Sequence, residues 1–547
     1  MPPASELFAI VDDEAAERFL SPLTKVQRIQ LDAALRYHAL VNPGAEIVAR
    51  IAVGDIAQVP ALSDSSTIDG RAIAGLPLRA ELRARSTAAG SPRQAQITRW
   101  IRLGHPEASP ATTRPPESSS IPRKVYRQLE RRGPLALDEV RELIMRRRER
   151  AIAGPLPRYP HGPHDDQVVD AYAAWPHEPA DAPGNGPRAV LFGLHWLQTG
   201  GAERWAIESI QLAKEAGLLP IVVTDQNSVH PWAERPELEG CVVLTLSFDH
   251  HEHELDVPLA HALLENFDLG GVVLHHSHYL YRMLPWIKRY RPDLPVVDSL
   301  HIVEYLGGGY PGSAVGFDEF IDTHHVISPQ LVEWMAGEQG VDRDKLALAP
   351  LTTLTVDAFG AFKPRDAAKP FTLSFIGRLS RQKRPDVFLG LVHRLEKQGV
   401  RFRAIMQGDG EMRSIVDGFI SQFGLEGSIE QRLEDVPVEE TLAETDLLVV
   451  TSINEGLTLT TFEAVAAGVP VLSTDVGSQR TIVQDEALFP RPARQFIPGA
   501  ANLIARLESD ELLRERLWAA QQQRVVEFSA LPTAHQWMKE CFASWQE

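Results

Sequence analysis

From Ala189 onward the chain repeats one pattern: a short, uncharged, β-branched run, a helix-length segment, and another such run. Ala189-Val190-Leu191-Phe192-Gly193-Leu194, Leu219-Pro220-Ile221-Val222-Val223-Thr224, Cys241-Val242-Val243-Leu244, Gly271-Val272-Val273-Leu274 and Pro295-Val296-Val297 are such runs. Strands apolar on both faces need cover on both faces, which parallel strands gain from the helices that connect them. The rhythm restarts at Phe371, after the crossing Ala361-Phe362-Lys363-Pro364. The sequence therefore predicts an α/β chain with two Rossmann-like domains facing each other across a central cleft, residues 188–362 and 363–530, after an N-terminal extension. In open α/β sheets the carboxyl ends of the strands are where ligands bind.

One such edge carries two acids. Asp446-Leu447-Leu448-Val449-Val450-Thr451-Ser452 reads as a buried strand, so Glu455 falls in the loop at its end. Glu463 follows eight positions later, and Gly456 makes a turn directly after the first acid. Thr458 to Thr461 offer an N-cap for a helix over Phe462 to Ala467, ended by Gly468 and Pro470, which puts Glu463 in the first turn. Free N–H groups at a helix start favour an anion. A loop carboxylate, a phosphate-competent helix start and a carboxylate suited to hydroxyls describe a nucleotide-sugar site; an acidic first turn that merely steadies a helix, by roughly tenths of a kcal/mol, is the alternative. Arg378 and Lys383, on the loop Gly377-Arg378-Leu379-Ser380-Arg381-Gln382-Lys383-Arg384-Pro385, supply a forked guanidinium and a compact ammonium for a diphosphate.

The Glu455…Glu463 element followed by Ala464-Val465-Ala466-Ala467-Gly468-Val469-Pro470-Val471 resembles the donor-binding signature of the retaining nucleotide-sugar glycosyltransferases of family 4. Three further pieces fit in order: the Gly377-Arg378-Leu379 loop, the Met406-Gln407-Gly408-Asp409-Gly410 turn, and Gln198-Thr199-Gly200-Gly201-Ala202-Glu203-Arg204. The resemblance covers roughly residues 188–530 and implies a GT-B type fold. It further implies transfer of a sugar from a UDP-, GDP- or ADP-sugar to a hydroxyl of a glycan, a lipid-linked intermediate or a small molecule, in cell-surface polysaccharide or glycoconjugate synthesis. By the same resemblance Arg378 and Lys383 meet the diphosphate beside Gly377, and the amides of Leu457, Thr458 and Leu459 after Gly456 meet the phosphates. Glu463 takes the ribose hydroxyls, and Glu455 a hydroxyl of the donor sugar. Gly200 and Gly201 admit a close approach from the facing domain, with Thr199 capping the helix they open, and Gly408 and Gly410 close a turn under the nucleoside. His301 lies near the reacting sugar, followed by an acceptor loop at Gly307-Gly308-Gly309. The chain departs from the family at Leu351-Thr352-Thr353-Leu354-Thr355-Val356-Asp357 and at Gly477-Ser478-Gln479-Arg480-Thr481, where the family shows Asn-Gly-Val-Asp and a Gly-Gly-x-x-Glu turn. A nucleotide-sugar epimerase or a sugar phosphorylase on the same scaffold, and an inactive nucleotide-sugar or glycan binder, are the other readings.

No cofactor and no metal are expected. Asp342-Arg343-Asp344 reads as a surface turn, and His250-His251-Glu252-His253 and His275-His276-Ser277-His278 have neither cysteine partners nor a His-Glu-x-x-His helix. A net charge of −18 argues against nucleic acid as a partner. The two cysteines, Cys241 and Cys541, give no disulfide framework, and no leader or apolar run of about 20 residues is evident. These features lead to the expectation of a cytoplasmic protein with a peripheral contact at the inner face of the membrane. Aromatic and basic residues along Tyr279–Arg291 suit such a contact, or pack inside the domain. Residues 1–104 carry no functional signal, and 105–187 read as Pro-rich linkers around a basic helical segment. There Leu137, Val140, Leu143 and Ile144 recur at helical spacing and Arg146, Arg147, Arg148 and Arg150 close the helix. The last helix, within 531–547, is expected to cross back onto the first Rossmann domain; the sequence sets no oligomeric state.

Overall fold

Every apolar run named above falls wholly or mostly within a parallel strand. The computed structural model describes residues 6–546 apart from 12, 55–66, 69–70, 73–77, 93, 105–132, 159–182, 199, 227, 229, 247–256, 305–307, 352–359 and 434. Residues 6–104 include a four-stranded sheet of β1 (Phe8–Ile10), β2 (Glu46–Gly54), β3 (Ala80–Ser86) and β4 (Gln96–Gly104), in the order β1-β3-β2-β4. Helix α1 (Lys25–Val41) covers it, opened by a capping box in which Thr24 and Gln27 satisfy each other's backbone N–H groups. This module is tied to the next domain through Asn266, whose side chain accepts from the Ala89 amide at 2.6 Å and donates to the Ala89 carbonyl at 3.1 Å.

Helix α2 (Pro134–Ile152) departs from the usual arrangement in which a helix buries its apolar stripe. Its apolar stripe faces outward, and its acids face in. Asp138 and Glu142 are buried, because Arg384 pairs with Asp138 at 2.5 Å and Arg491 forks onto Glu142 and Glu149. Beyond the helix, Gln339 donates to the carbonyls of Ile152 and Gly154 and accepts from the Leu156 amide, while Arg158 donates to the carbonyls of Val315 and Gln339. Residues 134–158 thus run as a strap from the second Rossmann domain to the first.

The first Rossmann domain holds β5 (Arg188–Leu194), β6 (Leu219–Thr224), β7 (Val242–Thr245), β8 (Asp268–His275), β9 (Val296–Leu300), β10 (Thr323–Val326) and β11 (Leu346–Leu348), all parallel, in the order β11-β10-β9-β8-β5-β6-β7. The second holds β12 (Phe371–Ile376), β13 (Phe402–Gln407), β14 (Ile429–Arg432), β15 (Leu447–Val450), β16 (Val471–Thr474) and β17 (Leu488–Phe489), in the order β14-β13-β12-β15-β16-β17. In both sheets the winding direction reverses beside the first strand, between β5 and β8 and between β12 and β15. A doubly wound sheet opens its binding crevice at that switch point.

Helix α3 (Gly201–Glu215) follows β5, and α4 (His278–Tyr290) follows β8. The membrane reading of α4 is not supported: Tyr279, Leu280, Tyr281, Met283, Leu284, Trp286 and Ile287 are all buried, and Lys288 is bonded to Asp322 and the Leu294 carbonyl. Each large apolar side chain buried in this way contributes roughly 1.5–3 kcal/mol, which decides where the helix sits. Helix α5 (Gly309–Gly316) follows β9, α6 (Leu459–Ala466) follows β15, and α7 (Ala534–Gln546) lies on the first domain. There the Trp545 carbonyl accepts from Arg188, and Trp537 stacks on His325. Among the described residues, no helix is long and apolar enough to cross a membrane.

Candidate active site

The loops after β12 and β15 are bound to each other at the switch point of the second domain. The Ile453 amide donates to the Gln382 carbonyl, the Gln382 side chain to the Asn454 carbonyl, and the Thr451 hydroxyl to the Lys383 carbonyl. This brings Lys383 Nζ to 2.5 Å from Glu455 Oε1, which also accepts from the Ser452 hydroxyl. Glu455 is buried, Lys383 half-buried, and Arg378 is exposed on the same loop. The glycines of the neighbouring turn serve packing. Gly408, at φ +136°, has no room for a Cβ against the Gly377 carbonyl, and one on Gly410 would lie 2.6 Å from the Leu379 carbonyl. The Leu379 amide donates to the Asp409 carbonyl, so the two turns are joined backbone to backbone.

Helix α6 opens a turn earlier than expected. Thr458 is its N-cap and Leu459 its first residue, so Glu463 occupies the second turn. Leu457, Thr458 and Leu459 lie at the end whose N–H groups have no acceptor within the helix. The Thr458 hydroxyl makes no capping bond and is buried without a partner. Burial raises the Glu463 carboxyl above its ordinary range; Glu439 adds to this, and Arg204 of the first domain opposes it. Arg204 belongs to the Gly200-Gly201 motif, but its place in that motif does not signal a role opposite Glu463.

In the first domain the loop after β5 leads into α3, whose N-cap is Gly200; Thr199 lies outside the described residues. A Cβ on Gly200 would overlap the Glu203 carboxylate, whereas one on Gly201 would meet nothing within 4 Å. Gly200 is therefore a packing glycine, and Gly201 has the open approach. Burial would raise Glu203, but its bonds from His195 and Trp196, at 2.9 and 2.5 Å, hold it below the usual carboxylate range.

His301 directly follows β9 with its imidazole buried, 3.5 Å from the Ser299 hydroxyl. Burial, reinforced by His275, His325 and His195, keeps its pKa well below the ordinary value, so the ring is neutral. The Glu455 loop rests on this segment: a Cβ on Gly456 would overlap the His301 carbonyl oxygen, and Asn454 donates to the Val303 carbonyl at 2.9 Å. Here the two domains meet.

Beside His301 stands a wall that the sequence did not reveal. His276, at φ +64°, stacks on Tyr310 with centroids 4.5 Å apart, His278 stacks on the same ring at 4.6 Å, and Gln226 donates to the Tyr310 hydroxyl. The left-handed backbone of a non-glycine residue at a switch point is the kind of strain that functional sites hold. The available signal is the cluster His275-His276-Ser277-His278, which as a sequence suggests only a zinc motif. Gly308 caps α5, which carries Tyr310, so two of the three glycines of the expected acceptor loop open a helix; Gly307 lies outside the described residues. Among those residues no three acidic, histidine or cysteine side chains converge as metal ligands. Asp342 caps a short turn by accepting from the Asp344 amide, and His250 to His253 lie outside. A cavity of about 650 Å³ opens beside the Glu455 loop, lined by Arg141, Ile144 and Arg148 of α2, by Ile302 and Glu304 of the first domain, and by Gln382 of the second.

Residues 360–524 match the family model for glycosyl transferases group 1. The match covers under a third of the chain. The chain is 26% identical over 278 residues to the D-inositol 3-phosphate glycosyltransferase of Xylanimonas cellulosilytica, covering 45% of this chain and 66% of that protein. It is 27% identical over 298 residues to the enzyme of the same name from Thermomonospora curvata, covering 46% and 67%. The chain thus spans about two thirds of the length of these curated relatives. Among solved structures, Anabaena Alr3699/HepE in complex with UDP superposes with a TM-score of 0.51 at 16% identity, over 64% of this chain and 97% of that one. The group 1 segment, its partner domain and the cleft between them form a GT-B fold.

Proposed function

We propose that the chain is a retaining, metal-independent glycosyltransferase that moves a sugar from a nucleoside-diphosphate sugar to an acceptor hydroxyl. The observation that carries this reading is the meeting of Lys383 and Glu455 at the switch point, with Arg378 exposed on the same loop and the start of α6 following Glu455. A departing nucleoside diphosphate gathers negative charge on its oxygens, and stabilising that charge is the main catalytic need. Arg378 and Lys383 meet it as a fork and a point charge. As a phosphate draws the Lys383 ammonium, Glu455 is freed to accept from a hydroxyl of the donor sugar, while Glu463 accepts from the ribose. His301, neutral in its buried place, holds a hydroxyl of the reacting sugar, and Gly201 leaves room for its approach. On this reading the bond from the anomeric carbon to the phosphate oxygen breaks, and the acceptor oxygen bonds to the same face. The hydroxyl proton passes to the departing phosphate, and the configuration is kept. The names of the relatives support glycoconjugate or polysaccharide synthesis, with a glycan, a lipid-linked intermediate or a small molecule as acceptor.

Calorimetry with UDP, GDP and ADP in the presence of EDTA tests the site. Arg378→Ala and Lys383→Ala should each weaken nucleoside-diphosphate binding by roughly 1.5–3 kcal/mol, the range of charge-assisted hydrogen bonds. Glu455→Gln should bind the nucleotide no more weakly and lose transfer. Unchanged affinity in both cationic variants removes the loop from the site. Turnover of a donor without acceptor makes the chain an epimerase, and activity that needs added manganese revives a metal.

A further inference from the structure

Helix α2 is docked inside out. Its carboxylates face inward onto Arg384, Arg491 and Arg494, while Val140, Leu143 and Ile144 are 55%, 58% and 46% exposed. At 3.6 residues per turn these three fall on one side, with Arg147 on the same side two turns beyond Val140, Arg150 on one flank and Arg148 on the other, all exposed. Grouped large apolar side chains on a surface mark a contact. Apolar anchors flanked on both sides by long cationic side chains suit the boundary between lipid headgroups and acyl chains, where guanidinium groups reach outward and the anchors sink. The charge argument sharpens this. With a net charge of −18 the chain as a whole is repelled by an anionic surface, so attachment there needs a local cationic patch, and this one carries its own apolar anchors. Ile144 and Arg148 also line the cavity beside the Glu455 loop, so the patch runs into the cleft mouth.

We infer that the exposed face of α2 docks the protein on an anionic lipid surface. Sedimentation with phosphatidylcholine vesicles, with and without phosphatidylglycerol, reads this directly. The protein should pellet with the anionic vesicles alone and be released as salt rises. The pair Val140→Ser with Leu143→Ser, and the pair Arg147→Glu with Arg150→Glu, should each lower the bound fraction at least about tenfold, with nucleoside-diphosphate binding unchanged. In a Cys541→Ser background, Leu143→Cys should react freely with a maleimide in buffer and be protected on anionic vesicles. Wild-type protein left in the supernatant, or variants that pellet like wild type, would overturn the inference. So would a Leu143→Cys variant whose introduced thiol is already shielded in buffer: shielding at every concentration assigns the face to the chain's own linkers, and shielding that grows with concentration assigns it to a second copy. None of these readouts uses turnover, so their failure leaves the transferase reading standing.

Discussion

Moving the protein from pH 7.5 to 5.5 should loosen the first Rossmann domain and spare the second. Burial lowers His230 to about 3 and His325 to about 4, and it lowers His275, His276 and His301 well below the ordinary 6.5. Burial holds His325 neutral, against the pull of the Ala349 carbonyl 2.8 Å from one ring nitrogen; the other lies 2.9 Å from the Ser299 hydroxyl. Below pH 6.5 the unfolded chain binds protons that these folded rings refuse, so stability is lost as the pH falls. At pH 5.5 His230 and His325 together remove roughly 3 kcal/mol. Asp225, which burial raises to about 6, works in the opposite direction: the folded domain takes its proton before the unfolded chain does, returning about 1 kcal/mol. His324, raised by Asp298 and Asp318 against its burial, also opposes the loss, as do the Asp298 and Glu304 carboxyls, which burial raises; against them stand five depressed imidazoles. The net is a loss of about 2 kcal/mol, or roughly thirtyfold in local opening. The second domain contains only His393, half-buried, so it lacks this sensitivity. Hydrogen exchange by mass spectrometry at the two pH values, corrected for intrinsic rates, should show peptides of β5, β8 and β9 losing protection while those of β12 and β15 keep theirs. Equal loss in both domains, or none in the first, would refute the reasoning.

Two further outcomes follow from the packing. Gly408→Ala should lower the urea midpoint by the equivalent of about 2–3 kcal/mol, since it adds strain at φ +136° to an overlap with the Gly377 carbonyl; an unchanged midpoint would show that the two turns can separate freely. Asp138→Ala should cost about 3–5 kcal/mol in urea unfolding, because it leaves Arg384 buried with only the Arg491 carbonyl to bond; a loss below about 1 kcal/mol would mean that water reaches the guanidinium.

Much of the fold was legible because continuous β-branched runs can be satisfied in few ways. The strands after Ala189, Leu219 and Asp446 lie within a residue or so of the runs that announced them. β10 was hidden because Thr323-His324-His325-Val326 does not look like a core strand. It is one because His324 finds Asp298 and Asp318, and His325 finds Ser299 and the Ala349 carbonyl. β14, Ile429-Glu430-Gln431-Arg432, was hidden for another reason: it is an edge strand whose side chains join Arg403 and Glu444 in a surface ion network, which leaves no apolar period. At the site, the strand-end loops that carry Glu455 and Lys383 were legible from the apolar runs before them, whereas the interest in His301 came from the family resemblance. Tyr310 was not, since nothing in a chain of residues says that a ring will be clasped by histidines some thirty positions earlier. The orientation of α2 is the reverse of what its pattern suggests, because spacing identifies a stripe but not which stripe is buried when buried arginines await the acids.

The strap has two unlike fastenings, and that difference sets where it would part. At the second domain it is pinned by closely paired opposite charges, Asp138 with Arg384 and two carboxylates on one guanidinium. At the first domain it is held by Gln339 and Arg158, bonding mostly to backbone groups. If the domains swing apart to exchange substrates, the amide end yields before the charged one, and α2 rides with the second domain. The lever arm is then about the length of the helix, some 28 Å at 1.5 Å per residue, so a small rotation of one domain against the other would sweep residues 153–158 through a large arc. Release at Gln339, not rotation of the domains, would then set the pace at which the mouth of the cleft uncovers.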